Sequence, residues 1–347
     1  MPFRSLVSHL QHGLTLMPVH IQEAAQLLLD AEVSAQAKAD FLETLHKRGE
    51  TVEEIANFVQ EFLKRAVNPG IDRSKISGPM LDVVGTGGDG LNLFNVSTTA
   101  IFILAAGGVC VVKHGNRGIT GKCGGADVLE ALGVKVDLPP EHLAAVVQRV
   151  GLGFLFAPMY HPAFKAVIEA RKLLAAKKKR SIFNLLGPLL NPAQPDYQLV
   201  GVYDQKLTQS FAQILSMLGR KAAWVVHGST GEGRGMDELS TLGGNDVVQV
   251  QSGQITAMKL YPAEYGFFPG KLEELVGGDA QENADILEGI LTGQVIGGRR
   301  DMALLNAAAG FMLTGMVQDL NAGKVLAESV ISSGAAHAKL RALQQTC

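Results

Sequence analysis

The stretch Leu81-Asp82-Val83-Val84-Gly85-Thr86-Gly87-Gly88-Asp89, continued by Asn95-Val96-Ser97-Thr98, decides how this chain is read. Leu81–Val84 is a short apolar run that reads as a buried strand. Ser97 to Leu104 reads as a helix with hydroxyls in its first turn. Between them Gly85, Gly87 and Gly88 lack a Cβ, so backbone N–H groups can converge on one point. A glycine turn that ends a strand and opens a helix favours an anion, because unpaired N–H groups and the positive helix end face it together. Glycines alone would fit an ordinary strand-to-helix turn. The next polar cluster, Lys113-His114-Gly115-Asn116-Arg117, adds two fixed positive charges and an amide. That combination suits a multiply charged anion held from several directions. The spacing matches neither the Gly-Lys-Ser/Thr phosphate loop nor the Gly-x-Gly-x-x-Gly dinucleotide fingerprint.

Outward from this stretch, strands and helices alternate. Leu81–Val84, Val109–Lys113, Gly153–Phe156, Leu199–Tyr203 and Ala222–His227 read as strands. Ser97–Leu104, Ala126–Leu132 and Glu141–Val150 read as helices, and Ala163 to Lys179 as a helical stretch. Such alternation predicts an α/β fold with a central, mostly parallel sheet. Asp246–Gln251 and Gln254–Leu260 flank Ser252-Gly253, a two-residue hairpin signal that adds an antiparallel portion. Helix is expected again over Gln281–Leu291 and from Asp301 through Leu343. The first seventy positions are helical throughout: Ile21, Ala25, Leu28 and Leu29 recur at helical spacing, as do Phe41, Leu42 and Leu45. Thr51 and Glu54 form a capping-box pattern before Ile55, Val59, Phe62 and Leu63. Asn68-Pro69-Gly70 then breaks the pattern and marks a boundary.

At 347 residues, 47% of them hydrophobic and 18% charged, the chain can bury a large core and is expected to form two domains. A net charge of −2 argues against a non-specific nucleic-acid binder, which needs clustered excess Lys and Arg. Cys110, Cys123 and Cys347 are few, odd in number and lack Cys-x-x-Cys spacing. That suits a reducing cytoplasmic setting rather than a disulfide framework or a zinc site. Arg4 near the start is followed by no compact apolar block with a cleavage site, so no secretory signal is expected. The most apolar stretch, Ala100 to Val112, is shorter than the ~20 residues that span a bilayer.

Asp237-Glu238 is the second chemical anchor. Adjacent carboxylates after Gly233-Arg234-Gly235 cannot share one face of a regular element, so a loop that turns both towards one cation is expected. Mg²⁺ prefers oxygen ligands and is commonly held by one or two carboxylates, with phosphate and water completing its shell. Arg180 ends the run Lys177-Lys178-Lys179-Arg180, and the apolar Ile182 and Phe183 that follow draw the backbone inward there. A guanidinium fork pairs bidentately with a carboxylate.

These motifs, together with Ala126-Asp127-Val128-Leu129-Glu130-Ala131-Leu132-Gly133, Tyr160-His161-Pro162-Ala163, Phe183-Asn184-Leu185-Leu186-Gly187-Pro188-Leu189, Gly235-Met236-Asp237-Glu238-Leu239-Ser240, Arg299-Arg300-Asp301 and Leu305-Asn306-Ala307-Ala308, resemble the anthranilate phosphoribosyltransferase family from about residue 20 to 325. The resemblance implies a small helical domain, residues 1–72, on which 163–190 packs back. A larger α/β domain of 73–162 and 191–347 follows, with the active site in the cleft between the two and a homodimer through the N-terminal helices. It implies Mg²⁺-dependent transfer of the 5-phosphoribosyl group from phosphoribosyl diphosphate to the amine of anthranilate, a step of tryptophan biosynthesis. Carried over, Gly85, Gly88, Asp89, Asn95, Val96, Ser97, Thr98, Lys113, Asn116, Arg117, Thr120, Gly121 and Gly125 take the phosphoribosyl diphosphate. Gly85, His114, Asn116, His161 and Arg180 take anthranilate, with Arg180 on its carboxylate. Ser97, Asp237 and Glu238 take Mg²⁺. The chain departs from the family pattern at Leu93, Phe94, Cys123 and Gly125, the last two standing where serine hydroxyls are usual.

The implied chemistry needs charge stabilisation on a departing diphosphate and positioning of an amine, not a strong nucleophile. No general base is assigned, because an aryl ammonium is acidic enough to release its proton to water or diphosphate. A pyrimidine-nucleoside phosphorylase would not need Asp237-Glu238, and the presence of that pair and of the Lys113–Arg117 cluster speaks against it. A nucleic-acid-binding relative would show a basic surface. A transferase with another aromatic acceptor stays open.

Overall fold

The computed structural model describes residues 3–118 and 123–346. The chain divides into two compact units, Met1–Asn68 with Pro158–Pro192, and Pro69–Ala157 with Ala193–Cys347. Thr120, Gly121 and Cys347 lie outside the described residues.

The first unit is helical. Helices Phe3–Gln11, Pro18–Leu29, Ala35–Arg48 and Val52–Leu63 bury Ile21, Leu28, Phe41, Leu45, Val59 and Phe62. The capping box forms: Glu54 N–H donates to Thr51 Oγ1 at 3.2 Å and Thr51 N–H to Glu54 Oε2 at 2.9 Å. The helical stretch expected over 163–179 forms in two parts. A 3₁₀ turn, Pro162–Val167, precedes the Ile168–Ala176 helix. Lys38 supplies a physical reason. Its buried ammonium donates to the Ala166 carbonyl at 2.8 Å and the Asp30 carbonyl at 2.5 Å, withdrawing Ala166 from a helical ladder. The Ile168–Ala176 helix packs on Ala35–Arg48. Beside it Phe62, Phe164 and Phe183 form an aromatic cluster, with ring centroids 5.1–5.7 Å apart.

The second unit is built on one sheet: β1 (Met80–Gly85), β2 (Cys110–Gly115), β3 (Leu152–Phe156), β4 (Tyr197–Gly201), β5 (Ala222–Ser229), β6 (Gly235–Met236), β7 (Asn245–Gln251) and β8 (Gln254–Leu260). Its order is β3-β2-β1-β4-β5-β7-β8, with β6 paired to β5. The first five strands are parallel and the last three pairings antiparallel. The hairpin turn has φ of 49° at Ser252 and 81° at Gly253, the two positive values that a turn matching strand twist requires. The apolar Val96–Ala106 helix is buried almost all round and packs against Gly298–Leu313. The helix expected from 301 to 343 is three helices, Gly298–Leu313, Leu320–Ser332 and Ala335–Gln344, interrupted at Gly315 and Gly334. No helix among the described residues is long and apolar enough to cross a membrane.

Topology places the site. β1 leads to β2 on one side, while β4 and β5 lie on the other. The connection therefore reverses at β1/β4, and in open α/β sheets ligands bind outside the carboxyl ends of strands at such a point. The residues in register there are Gly85 and Gly201.

Candidate active site

Across these strand ends lies the loop carrying Asp237 and Glu238. Three adjacent parallel strands finish at or near a glycine, and each glycine is occupied by this loop. A Cβ on Gly85 would overlap Asp237 Oδ2. One on Gly201 would overlap the Asp237 carbonyl, and one on Gly228 the Glu238 carbonyl. The acid pair thus rests on a floor with no side chains. The local sequence signal is the recurring strand ending Val-Val-Gly, Leu-Val-Gly and Val-His-Gly, which the sequence reading did not use.

The glycine turn meets this loop from β1. Gly87 and Gly88 have φ of 67° and 88°, a left-handed conformation that favours glycine. Gly87 N–H donates to Asp237 Oδ2 at 2.6 Å. At the start of the Val96–Ala106 helix, Ser97 N–H donates to Glu238 Oε1 at 3.3 Å. Lys113 arrives from β2, fully sheltered, with Nζ 3.2 Å from Ser97 Oγ and 2.5 Å from the Val83 carbonyl. Loop, helix end, ammonium and acid pair therefore converge, as the sequence motifs suggested. Asn95 keeps a buried Oδ1 that accepts no hydrogen bond among the described residues, an acceptor left over for a ligand hydroxyl.

Charge is concentrated here. Burial pushes the Asp237 carboxyl up to about 7, with Asp89 adding to the rise. Burial, then the Asp237 charge, pushes Glu238 up to about 8. Burial lowers the Lys113 ammonium, opposed by Asp82, Glu238 and Asp237. Carboxyls crowded enough to hold their protons are groups that a cation would relieve. No set of three or more His, Cys, Asp or Glu among the described residues is arranged to enclose an ion. An all-oxygen, incomplete donor set fits Mg²⁺, which keeps waters and takes substrate phosphate oxygens.

The remaining expected residues separate. Gly125 lies against Thr98 and Lys113: a Cβ there would stand 3.2 Å from Thr98 Oγ1 and 3.6 Å from Lys113 Cε. Asn116 Oδ1 accepts from Arg117 N–H at 2.8 Å. Arg117 turns to Glu130, at 2.7 Å, and over the Phe156 ring. Asp127 holds both ends of the intervening loop, accepting from Gly118 and Gly124 N–H at 2.8 Å each. Phe94 is buried and its N–H donates to the Leu275 carbonyl, while Leu93 bridges to Val276. Main-chain bonds at these two positions thus tie the glycine loop to the 275–277 segment, whichever side chains stand there. Burial raises the Cys123 thiol above its ordinary range, which disfavours a nucleophilic thiolate.

In the helical unit, His161 is buried and bonds the Leu190 carbonyl at 2.8 Å. Burial lowers its imidazole, so the ring is a neutral one stacked on Phe164. Arg180 is exposed, and the chain does turn inward directly after it, at buried Ser181, Ile182 and Phe183. The sequence reading missed Arg171. Its guanidinium lies 5.6 Å from the Phe183 ring centroid, half-buried and with no carboxylate partner among the described residues, and burial alone lowers it. Set among Glu169, Lys172 and the later lysines, it reads in sequence as one more solvated charge.

Residues 77–337 match the family model described as the a/b domain of a glycosyl transferase family. An anthranilate phosphoribosyltransferase of Desulfatibacillum aliphaticivorans is 40% identical over 98% of this chain and 97% of that protein. One from Methanocorpusculum labreanum is 46% identical over 87% and 86%. The crystal structure of anthranilate phosphoribosyltransferase from Thermus thermophilus matches with a TM-score of 0.89 at 39% identity, covering 100% of this chain and 99% of that one. The Saccharomyces cerevisiae protein of the same name, solved in complex with PRPP and Mg, matches at 0.86 with 26% identity over 99% and 97%. With identity of this order along nearly its whole length, the chain belongs to the anthranilate phosphoribosyltransferase family.

Proposed function

We propose that this chain transfers the 5-phosphoribosyl group from phosphoribosyl diphosphate to the amine of anthranilate, yielding N-(5-phosphoribosyl)anthranilate and diphosphate. One observation carries the reading: Gly87 and Ser97 N–H groups reach Asp237 and Glu238 at the carboxyl end of the sheet, with Lys113 beside Ser97. Ser97, Asp237 and Glu238 hold Mg²⁺, which when bound screens the charge that grows on the departing diphosphate. Lys113 and those N–H groups of the glycine turn that are not already given to Asp237 stabilise the same charge. Gly88, Asp89, Val96, Thr98, Arg117 and Gly125 complete the donor set, with Thr120 and Gly121 assigned by resemblance alone. Asn95 Oδ1 suits a ribose hydroxyl.

By resemblance alone, Gly85, His114, Asn116, His161 and Arg180 are assigned to the acceptor. Asn116 Oδ1 retains a second lone pair for the amine. For the carboxylate, Arg171 has the better credentials than Arg180, being sheltered, stacked on an aromatic ring and without an acid of its own among the described residues. The test is anthranilate fluorescence consumed in the presence of phosphoribosyl diphosphate and Mg²⁺, run alongside substituted benzoates and nucleosides. Turnover of nucleosides with phosphate, and none of anthranilate, would replace this reading with the phosphorylase one. In the same assay Arg171→Ala is expected to raise the anthranilate KM by about 10- to 100-fold, the scale of a lost charged hydrogen bond. Arg180→Ala should raise it less. The reverse order returns the carboxylate to Arg180.

We further read the protein as a cytoplasmic homodimer joined through the N-terminal helices. Exposed Leu14, Met17 and Val19 offer apolar surface in that region, and free Cys110 and Cys123 suit a reducing compartment. Light scattering that returned the mass of one 36.8 kDa chain at micromolar concentration would remove the dimer.

A further inference from the structure

Buried peptide groups outside helices and strands still need hydrogen-bond partners, from other backbone, side chains or water. The two residues that follow Glu238 both face this problem. Leu239 and Ser240 are fully buried in the irregular stretch between β6 and β7. Each is bonded at both its N–H and its carbonyl by one buried asparagine. Leu239 N–H donates to Asn306 Oδ1 at 3.2 Å, and Asn306 Nδ2 donates to the Leu239 carbonyl at 3.0 Å. Ser240 N–H donates to Asn245 Oδ1 at 2.7 Å, and Asn245 Nδ2 to the Ser240 carbonyl at 3.0 Å.

Asn306 is costly where it stands. Asparagine is a poor helix former, and a buried amide is unfavourable unless all its groups are bonded. Yet Asn306 sits inside the Gly298–Leu313 helix with no exposure at all, its remaining N–H going to the Met302 carbonyl at 2.9 Å. The same helix packs on Val96–Ala106, whose Ser97 N–H holds Glu238. Two packed helices therefore grip one short segment, Ser97 by the carboxylate and Asn306 by the next peptide.

We infer that Asn306 and Asn245 are positioning residues that lock the backbone after Glu238, and so aim Asp237 and Glu238 at the cation. This rests on the proposed Mg²⁺ role of that pair. Outer partners of metal ligands are worth about 10- to 100-fold in metal affinity.

The test uses the full chain without metal and then with Mn²⁺ plus inorganic diphosphate. In Asn306→Ala, hydrogen exchange at residues 237–240 should speed up before any metal is added. Mn²⁺ affinity by electron paramagnetic resonance should fall about 10-fold or more, with the anthranilate KM unchanged. A lowered melting temperature with exchange and Mn²⁺ affinity both as in the wild type would overturn the inference. Should Asn306→Ala not fold, Asn306→Ser and Asn245→Ala are read by the same criteria. Asp237→Asn separates the two ideas. If it leaves Mn²⁺ binding intact the metal role fails, and exchange at 237–240 in Asn306→Ala then decides the clamp alone.

Discussion

Gly201→Ala is expected to reduce kcat/KM by about 100-fold or more, the scale of a misplacement near 1 Å in a reacting constellation. No side chain of Gly201 touches substrate, and none could. The added methyl would overlap the main-chain carbonyl of Asp237, which cannot swing aside as a flexible side chain would. Either β4 is pushed out of register with β1 and β5, to which it is hydrogen-bonded on both sides, or the acid loop lifts. The sheet is the stiffer partner, so the loop should move. The expected signature is a raised Mg²⁺ requirement with a preserved circular dichroism spectrum. Gly85→Ala meets the Asp237 carboxylate instead, and is expected to cost activity by displacing that proposed metal ligand while the backbone stays put. Full activity in Gly201→Ala would mean that the acid loop does not rest on these strand ends.

What was legible beforehand follows from how local each signal is. The Ser252-Gly253 turn, the Thr51–Glu54 cap and the strand–glycine–helix unit at 81–104 are all written within a few residues, and each forms as read. Asp237 and Glu238 were also recognisable, because adjacent acids next to glycines are chemically conspicuous. The support beneath them was not. Gly85, Gly201 and Gly228 are neighbours only after β4 crosses to the far side of β1, and Asn306 reaches Leu239 from a helix 67 positions away. Arg171 stayed hidden for another reason: one half-buried guanidinium looks, in a row of charges, like its solvated neighbours. Within the helical stretch over 163–179 the change from 3₁₀ turn to α-helix was not legible, because it rests on a tertiary fact, the Lys38 ammonium taking the Ala166 carbonyl.

Glu238→Gln should move activity and stability in opposite directions. Transfer should fall by about 100- to 1000-fold, the range for losing one electrostatic contact to a transition state. Stability without metal should rise at neutral pH and above. In the metal-free fold both carboxyls keep their protons up to about 7 and 8, because burial opposes ionisation. In the unfolded chain the same groups ionise near 4. Across that interval the folded state binds more protons than the unfolded one, so stability falls as pH rises through it. In chelator, then, the melting temperature of the wild type should drop between about pH 5 and 8, with a shallower drop in Glu238→Gln and the shallowest in Asp237→Asn/Glu238→Gln. If the pair is the proposed cation site, Mg²⁺ with diphosphate should restore the wild type at pH 8, because only the folded state presents the ionised pair. The variants should gain little. Parallel pH curves for wild type and double variant would show that the pair is not strained by burial, and equal protection of both by Mg²⁺ that it is not a cation site. The opposition of the two effects is what separates a functional acid pair from a structural one, because carboxylates kept for folding would lose stability when neutralised.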